Sequence, residues 1–100
     1  MQEIAACLSR DEFVITDHAR REMLHDGILL DDLIAACGSG EIIEDYPAAF
    51  PLPACLVLGW LPEGRPVHVC LSRPPWVKVI TTYIPDPGKW HTDWKRRRRG

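Results

Sequence analysis

A chain of 100 residues, 46% hydrophobic and 26% charged, has the composition of one globular domain, which excludes an extensively disordered protein. No apolar run approaches the roughly 20 residues of a membrane-spanning helix, so we expect no membrane segment. The net charge of −2 hides an asymmetry, because residues 1–94 hold all 14 acidic side chains while five of the 12 basic ones are consecutive at 95–99. We expect one domain over residues 1–100, with a basic tail at 95–100.

The first third of the sequence predicts three short helices. Apolar residues recur at helical spacing, and Thr16 or Asp17 offers a side-chain cap for the second helix. Gly27 fits the left-handed position that follows this helix. Phe13–Ile15 is β-branched and apolar, so it is a short extended entry or a strand. The predicted helices cover residues 2–9, 16 or 17 to about 26, and about 31–37.

From residue 41 onward the apolar pattern changes to a period of two, which predicts strands. The strands are expected at 41–46, 55–60, 67–71 and 76–84. Residues 89–99 favour a last helical turn, with Trp90 and Trp94 four residues apart. Helices followed by hairpin-linked strands predict an α+β domain, in which two N-terminal helices cover one face of a three- to four-stranded antiparallel sheet.

Five stretches of the sequence together resemble domain-of-unknown-function family 4258, which is grouped with RelE-like, BrnT-like and MqsR-like toxins. They are TDHARREM with DGI (16–23 and 26–28), GEIIEDYP (40–47), CLVLG (55–59), GRPVHV (64–69) and YIPDP (83–87). The similarity therefore extends over nearly the whole chain, in one order. It implies a RelE/BrnT-like fold, ribonuclease activity, and a small zinc-finger antitoxin of the MqsA (YgiT) type as partner.

Two positions depart from the family pattern. Leu29 stands where many relatives carry Ser or Thr to cap the third helix, so that cap is lost or Asp31 replaces it. Glu22 stands where many distant relatives carry Arg, and an acidic side chain there argues against binding of a phosphate at that position.

The second helix carries candidate catalytic residues. His18 and Glu22 are four residues apart and share one helix face, where a carboxylate can tune an imidazole for proton transfer. The same pair could bind a metal or belong to an ordinary solvated face, and the spacing does not decide between these interpretations. Arg21 flanks the pair and is a candidate RNA-binding residue.

The predicted sheet adds three catalytic candidates, His68, Arg65 and Tyr83. His68 alternates with Val67 and Val69, so it faces away from their side of the sheet. It lies either on an exposed catalytic face or buried beside a hydrogen-bonding neighbour. Arg65 could hold a phosphate with its planar guanidinium, and Tyr83 could stack on a base, although each could equally be structural.

Four further basic residues are candidates for contact with RNA: Lys78 in the last strand, and Lys95, Arg96 and Arg97 in the tail. The alternative for the tail is a frayed, solvated chain end. The acidic body argues against binding of duplex nucleic acid over a broad face.

The four cysteines have no C-x-x-C spacing and lie among apolar residues, which favours buried free thiols in a cytoplasmic protein without a signal peptide. The sequence also lacks a glycine-rich phosphate loop and a Cys/His metal pattern. We therefore expect neither a cofactor nor a metal.

The resemblance implies the toxin of a type II toxin–antitoxin pair, which we expect to be a metal-independent endoribonuclease acting on mRNA. Such cleavage needs a base, a cation and an acid, which His, Arg and Tyr side chains could supply. One alternative is a non-catalytic protein-binding module that retains the toxin-like fold. Another is a metal-using hydrolase built on His18 and Glu22. The basic tail favours the first interpretation, and the acidic body weighs against it.

Overall fold

The computed structural model describes residues 1–99 and confirms the α+β class. Within these residues the fold has three helices, which all precede the four long strands, and one short strand near the N-terminus. In chain order the elements are α1 (Gln2–Ser9), β1 (Phe13–Ile15), α2 (Asp17–Asp26), α3 (Leu30–Gly38), β2 (Glu41–Tyr46), β3 (Ala54–Trp60), β4 (Pro66–Ser72) and β5 (Val77–Tyr83).

The described strands form one mixed sheet in the order β1-β5-β4-β3-β2. Strands β2 to β5 form an antiparallel meander, as predicted. The prediction of three to four strands was one too few, because β1 pairs in parallel with β5 and adds a fifth. Three residues show no measurable periodicity, and their partner strand begins more than 60 residues later in the sequence, so local pattern could not reveal this pairing.

The boundaries of α2 follow from two local signals. Thr16 Oγ1 accepts the backbone N–H of Ala19 at 3.0 Å, and Gly27 ends the helix at φ +67°. The N–H of Ile28 then donates to the carbonyl of Met23 at 2.8 Å, which closes the C-terminal turn. Helix α3 starts without such help, since Leu29 occupies the cap position and no side-chain cap forms there.

The hydrophobic core lies between the three helices and one face of the sheet. Strand residues that alternate along β3, β4 and β5 supply the sheet side of this core: Cys55, Val57, Val67, Val69, Leu71, Val77 and Val79. At Gly59 the backbone of α3 comes so close that a Cβ atom would lie 2.3 Å from the carbonyl oxygen of Ala36. The helices therefore cover this face closely, and three of them contribute rather than the predicted two.

The opposite face of the sheet is partly covered by the C-terminal segment. The predicted last helical turn is wrong, because Trp90 pairs with Arg97 in an antiparallel bridge and residues 90–97 form a hairpin. Turn chemistry explains the difference: Asp93 Oδ1 accepts the backbone N–H groups of Lys95 and Arg96, and Trp94 adopts a left-handed φ of +61°. We call residues 90–97 the C-terminal hairpin.

Candidate functional site

The sheet face that the helices leave free carries most of the polar candidates. Cross-strand register places Cys70 opposite Thr81, and His68 opposite Tyr83, on neighbouring strands. His68 and Cys70 alternate with the core residues of β4, so they lie on the side away from the helices. A register shift after Cys70 places Thr81 and Tyr83 of β5 on that same side. We call this surface the polar face. As expected from its alternation with Val67 and Val69, His68 belongs to it.

His68 is fully buried, at 0% exposure, and both of its ring nitrogens are engaged. Nε2 lies 2.7 Å from the carbonyl oxygen of Trp94, which can only accept, so Nε2 carries the hydrogen. Nδ1 then accepts from the hydroxyl of Tyr83 at 3.2 Å. The ring of Trp90 packs edge-on against the imidazole, with centroids 4.3 Å apart. His68 thus positions the Tyr83 hydroxyl and holds the C-terminal hairpin against the sheet. The hairpin in turn separates His68 from solvent.

The surroundings of His68 and Tyr83 favour their neutral forms. Burial lowers the pKa of His68, while the Trp94 carbonyl and the Glu44 carboxylate partly oppose this effect. Burial likewise raises the pKa of Tyr83. A neutral His68 that accepts from a protonated Tyr83 is consistent with both directions. The pair therefore orients the phenol group and keeps one side of its oxygen available.

A second polar group lies where the C-terminal hairpin meets strand β2. Arg97 donates from Nε and Nη2 to the two carboxylate oxygens of Glu44, each at 2.9 Å. The hydroxyl of Tyr46 also donates to Glu44. The guanidinium lies 4.6 Å from the centroid of the Trp90 ring, a cation–π contact. Arg97 is therefore held in a defined position by a carboxylate and an aromatic ring.

These contacts shift the ionisation of the acidic partners. The hydrogen bond from Arg97 holds the pKa of Glu44 below its usual value. Burial, together with the hydrogen bond to Glu44, raises the pKa of Tyr46 to about 12. The group is therefore an ionised carboxylate between a cation and a neutral phenol.

Sequence reasoning did not identify Glu44, and the reason is a β-bulge. A strict period of two would place Glu41 and Glu44 on opposite faces of β2. The register shifts between Ile42 and Glu44, so that Glu41 pairs with Leu58 and Glu44 with Leu56. Both acidic residues therefore belong to the polar face, and nothing in the sequence marks the bulge.

The predicted RNA-binding residues of the tail are engaged within the protein. Lys95 pairs with Glu41 and Arg96 with Asp93, each at 2.9 Å, and Arg97 pairs with Glu44 as described above. The tail described through residue 99 therefore lies against the fold, whereas a frayed end was the alternative expectation. RNA would have to replace these carboxylates to reach Lys95 or Arg97.

His18 is the exposed imidazole of the polar face. It lies in the first turn of α2, and its Nε2 is 3.1 Å from Thr81 Oγ1 on β5. Thr81 and Tyr83 are two residues apart on one strand, so roughly 7 Å of strand separates the two positions. Glu22 follows His18 by one helical turn and is half-buried, while Arg21 beside it is exposed. The structure therefore brings His18, Tyr83 and His68 to one face.

Two other candidates lie elsewhere. Arg65 donates from Nη1 to the carbonyl of Asp26 at 3.2 Å and pairs with Glu63, so it binds the C-terminal end of α2. That end is two turns from His18, and Arg65 is not joined to the imidazole. Lys78 is exposed and lines an apolar groove with Leu52 and Trp76.

Comparison with known families gives one match, to the domain of unknown function DUF4258 over residues 15–84. The chain belongs to this family. No curated protein and no solved structure matches it. The matched region runs from the end of β1 to just after β5, so in this member it includes His18, Glu44, His68 and Tyr83. The C-terminal hairpin lies beyond the matched residues.

Residues 1–99 show neither a metal-binding cluster nor a membrane-spanning helix. They contain no group of three or more His, Cys, Asp or Glu side chains placed to hold a metal ion. They also contain no helix with the length and apolar character needed to cross a membrane. The four cysteines are unpaired; three are buried, and Cys70 on the polar face is half-buried.

Proposed function

We propose that this protein is the toxin of a type II toxin–antitoxin pair, related to RelE-like and BrnT-like toxins, and cleaves single-stranded mRNA without a metal ion. The observation that carries the proposal is the exposed His18 imidazole beside Thr81, on the face that also holds Tyr83. His18 then accepts the proton of the ribose 2′-hydroxyl as that oxygen bonds to phosphorus and the P–O5′ bond breaks, and the leaving 5′-oxygen takes a proton from the imidazolium or from water. Glu22 lies one turn along α2 on the same helix face as His18.

The remaining groups bind and stabilise the phosphate. The hydroxyl of Tyr83 donates its only hydrogen to His68, so its ring stacks beside a base and its oxygen can accept a hydrogen bond from the RNA. Arg97 binds Glu44 through two parallel hydrogen bonds, the geometry in which a guanidinium also binds a phosphate. Exchange of that carboxylate for a phosphate would place a cation against the charge that develops during cleavage. His68 has the role of a positioning residue, because it acts through Tyr83.

The test is cleavage of a single-stranded RNA in the presence of EDTA. We expect 2′,3′-cyclic phosphate and 5′-hydroxyl ends, with at least a hundredfold lower rate for His18→Ala. His25→Ala is the matched control, because His25 is exposed at the other end of α2. This variant should cleave RNA at the wild-type rate. Wild-type protein that leaves RNA intact, or equal rates for His18→Ala and wild type, would refute the proposal.

A binding module remains the second candidate because of one exposed apolar surface. Phe50 is 95% exposed and Trp76 71% exposed, and two adjoining grooves connect them through Leu52. We propose the small zinc-finger protein of the MqsA (YgiT) type as its occupant. Tight binding that Trp76→Ser weakens, together with no RNA cleavage by wild type, would favour this function over catalysis.

A further inference from the structure

Four of the five basic residues at 95–99 divide into two alternating sets, and the first set holds the hairpin on the sheet. Lys95 pairs with Glu41 and Arg97 with Glu44, so alternate residues reach the acidic side chains of β2. This is the pattern expected of extended backbone, in which every second side chain shares a side. The charges of Lys95 and Arg97 are therefore largely compensated within the fold.

The second set, Arg96 and Arg98, alternates with the first and is held differently. Arg98 donates from Nε to the backbone carbonyls of Pro87 and Trp90, each at 2.8 Å. Among residues 1–99 it forms no salt bridge to a carboxylate. Arg96 donates from Nε to Asp93 at 2.9 Å. Both guanidinium groups are anchored through Nε, which leaves their terminal Nη groups for another acceptor.

These side chains line one concavity on the C-terminal hairpin. Its lining consists of His91, Arg96, Arg97, Arg98 and Arg99, and it contains no acidic residue. Because Arg97 is paired with Glu44, three arginines and one histidine of this lining remain as basic side chains for a ligand: His91, Arg96, Arg98 and Arg99. Anchoring by backbone carbonyls lowers the conformational entropy that Arg98 would lose on binding a ligand.

From this arrangement we infer that the concavity formed by His91, Arg96, Arg98 and Arg99 binds a phosphate group. Several guanidinium forks around one space suit a tetrahedral anion with three or four acceptor oxygens, whereas a single fork already satisfies a planar carboxylate. The inference rests on the proposed function only in naming RNA as the source of that group. If RNA is the source, the site binds a phosphate of an RNA strand that crosses the polar face beside Arg97.

The experiment follows the arginine Nε–Hε signals by NMR while inorganic phosphate is added. We expect the signals of Arg96 and Arg98 to shift with millimolar affinity, and Arg98→Gln to weaken that affinity about tenfold. Arg99→Gln should weaken it as well, and it leaves the bonds that anchor Arg96 and Arg98 in place. Arg10→Gln, at the end of α1, is the control and should bind phosphate as wild type does.

A second arm uses short single-stranded RNA with and without a 5′-phosphate, in EDTA. Preference for the phosphorylated strand would assign the site to a terminal phosphate, and equal binding would assign it to the phosphodiester backbone; either supports the inference. Unshifted arginine signals in phosphate, or a poly-glutamate peptide that binds there more tightly than RNA, would overturn it. Phosphate binding without RNA cleavage would refute the proposed function alone, and cleavage with unshifted signals would refute this inference alone.

Discussion

The two faces of the sheet are covered by different kinds of contact. On one side, the helices bury alternating apolar residues of β3, β4 and β5. On the other, the C-terminal hairpin is held by the hydrogen bond of His68 to the Trp94 carbonyl and by ion pairs to β2. Burial of apolar area responds little to pH and moderate salt, whereas hydrogen bonds to titratable groups and ion pairs respond to both. The helix side therefore supplies most of the apolar burial, while the polar face combines the buried Leu56, Leu58 and Trp90 with polar contacts that respond to conditions.

The largest expected effect comes from the helix side. Leu33 on α3 is fully buried in the core. Leu33→Ala should lower the free energy of unfolding by about 2–5 kcal/mol, since it removes apolar contacts and leaves a cavity. Denaturant unfolding measures the loss. Leu24→Ala is the control, because Leu24 is exposed on α2 and should change stability little. Similar losses for the two variants would contradict this account of the core.

The next effect concerns the polar face. His68→Phe keeps a ring against Trp90 but leaves the Trp94 carbonyl and the Tyr83 hydroxyl without their partner. We expect a loss of about 1–3 kcal/mol in the free energy of unfolding, the usual cost of unpaired buried polar groups. In an RNA cleavage assay, the variant should reduce the rate less than Tyr83→Phe does, because His68 acts through Tyr83.

The same residue predicts a pH dependence with a definite sign. Burial lowers the pKa of His68 below its usual value of 6.5, so the unfolded chain binds the proton more readily. This contribution to stability is therefore present above pH 6.5 and is lost as the pH falls through the lowered pKa of the folded state. The free energies of unfolding of wild type and His68→Phe, compared between pH 7.5 and 5, measure this contribution. Parallel pH profiles would show that His68 is not the responsible group.

Features set by neighbouring residues could be predicted from the sequence, and features set by contacts between distant elements could not. The Thr16 cap, the left-handed Gly27 and the position of His68 on the face opposite Val67 and Val69 follow from neighbouring residues, and the structure confirms them. The parallel pairing of β1 with β5 joins segments far apart in the chain. The bulge before Glu44 and the hairpin over His68 depend on contacts between different elements of the fold. No local periodicity marks such features in the sequence. The predicted site therefore lacked Glu44 and the C-terminal hairpin that covers His68.

The smallest expected effect is the removal of the ion pair between Arg97 and Glu44. Both side chains are near the surface, so Arg97→Gln should change the free energy of unfolding by less than about 1 kcal/mol. It should nevertheless increase amide hydrogen exchange in the C-terminal hairpin, including the N–H of His91, which donates to the Arg96 carbonyl at 2.8 Å. Amides of α3 should exchange as in wild type, because the helix side does not depend on this pair.

Arg73→Gln provides the matched control for that measurement. Arg73 also pairs with an acidic residue of β2, Asp45 at 3.0 Å, but it does not belong to the hairpin. Its loss should leave hairpin exchange unchanged. Added salt should accelerate hairpin exchange in wild type and in Arg73→Gln, and less in Arg97→Gln, where one of the screened pairs is already absent. Equal salt responses in all three proteins would mean that apolar packing of Trp90 alone holds the hairpin on the polar face.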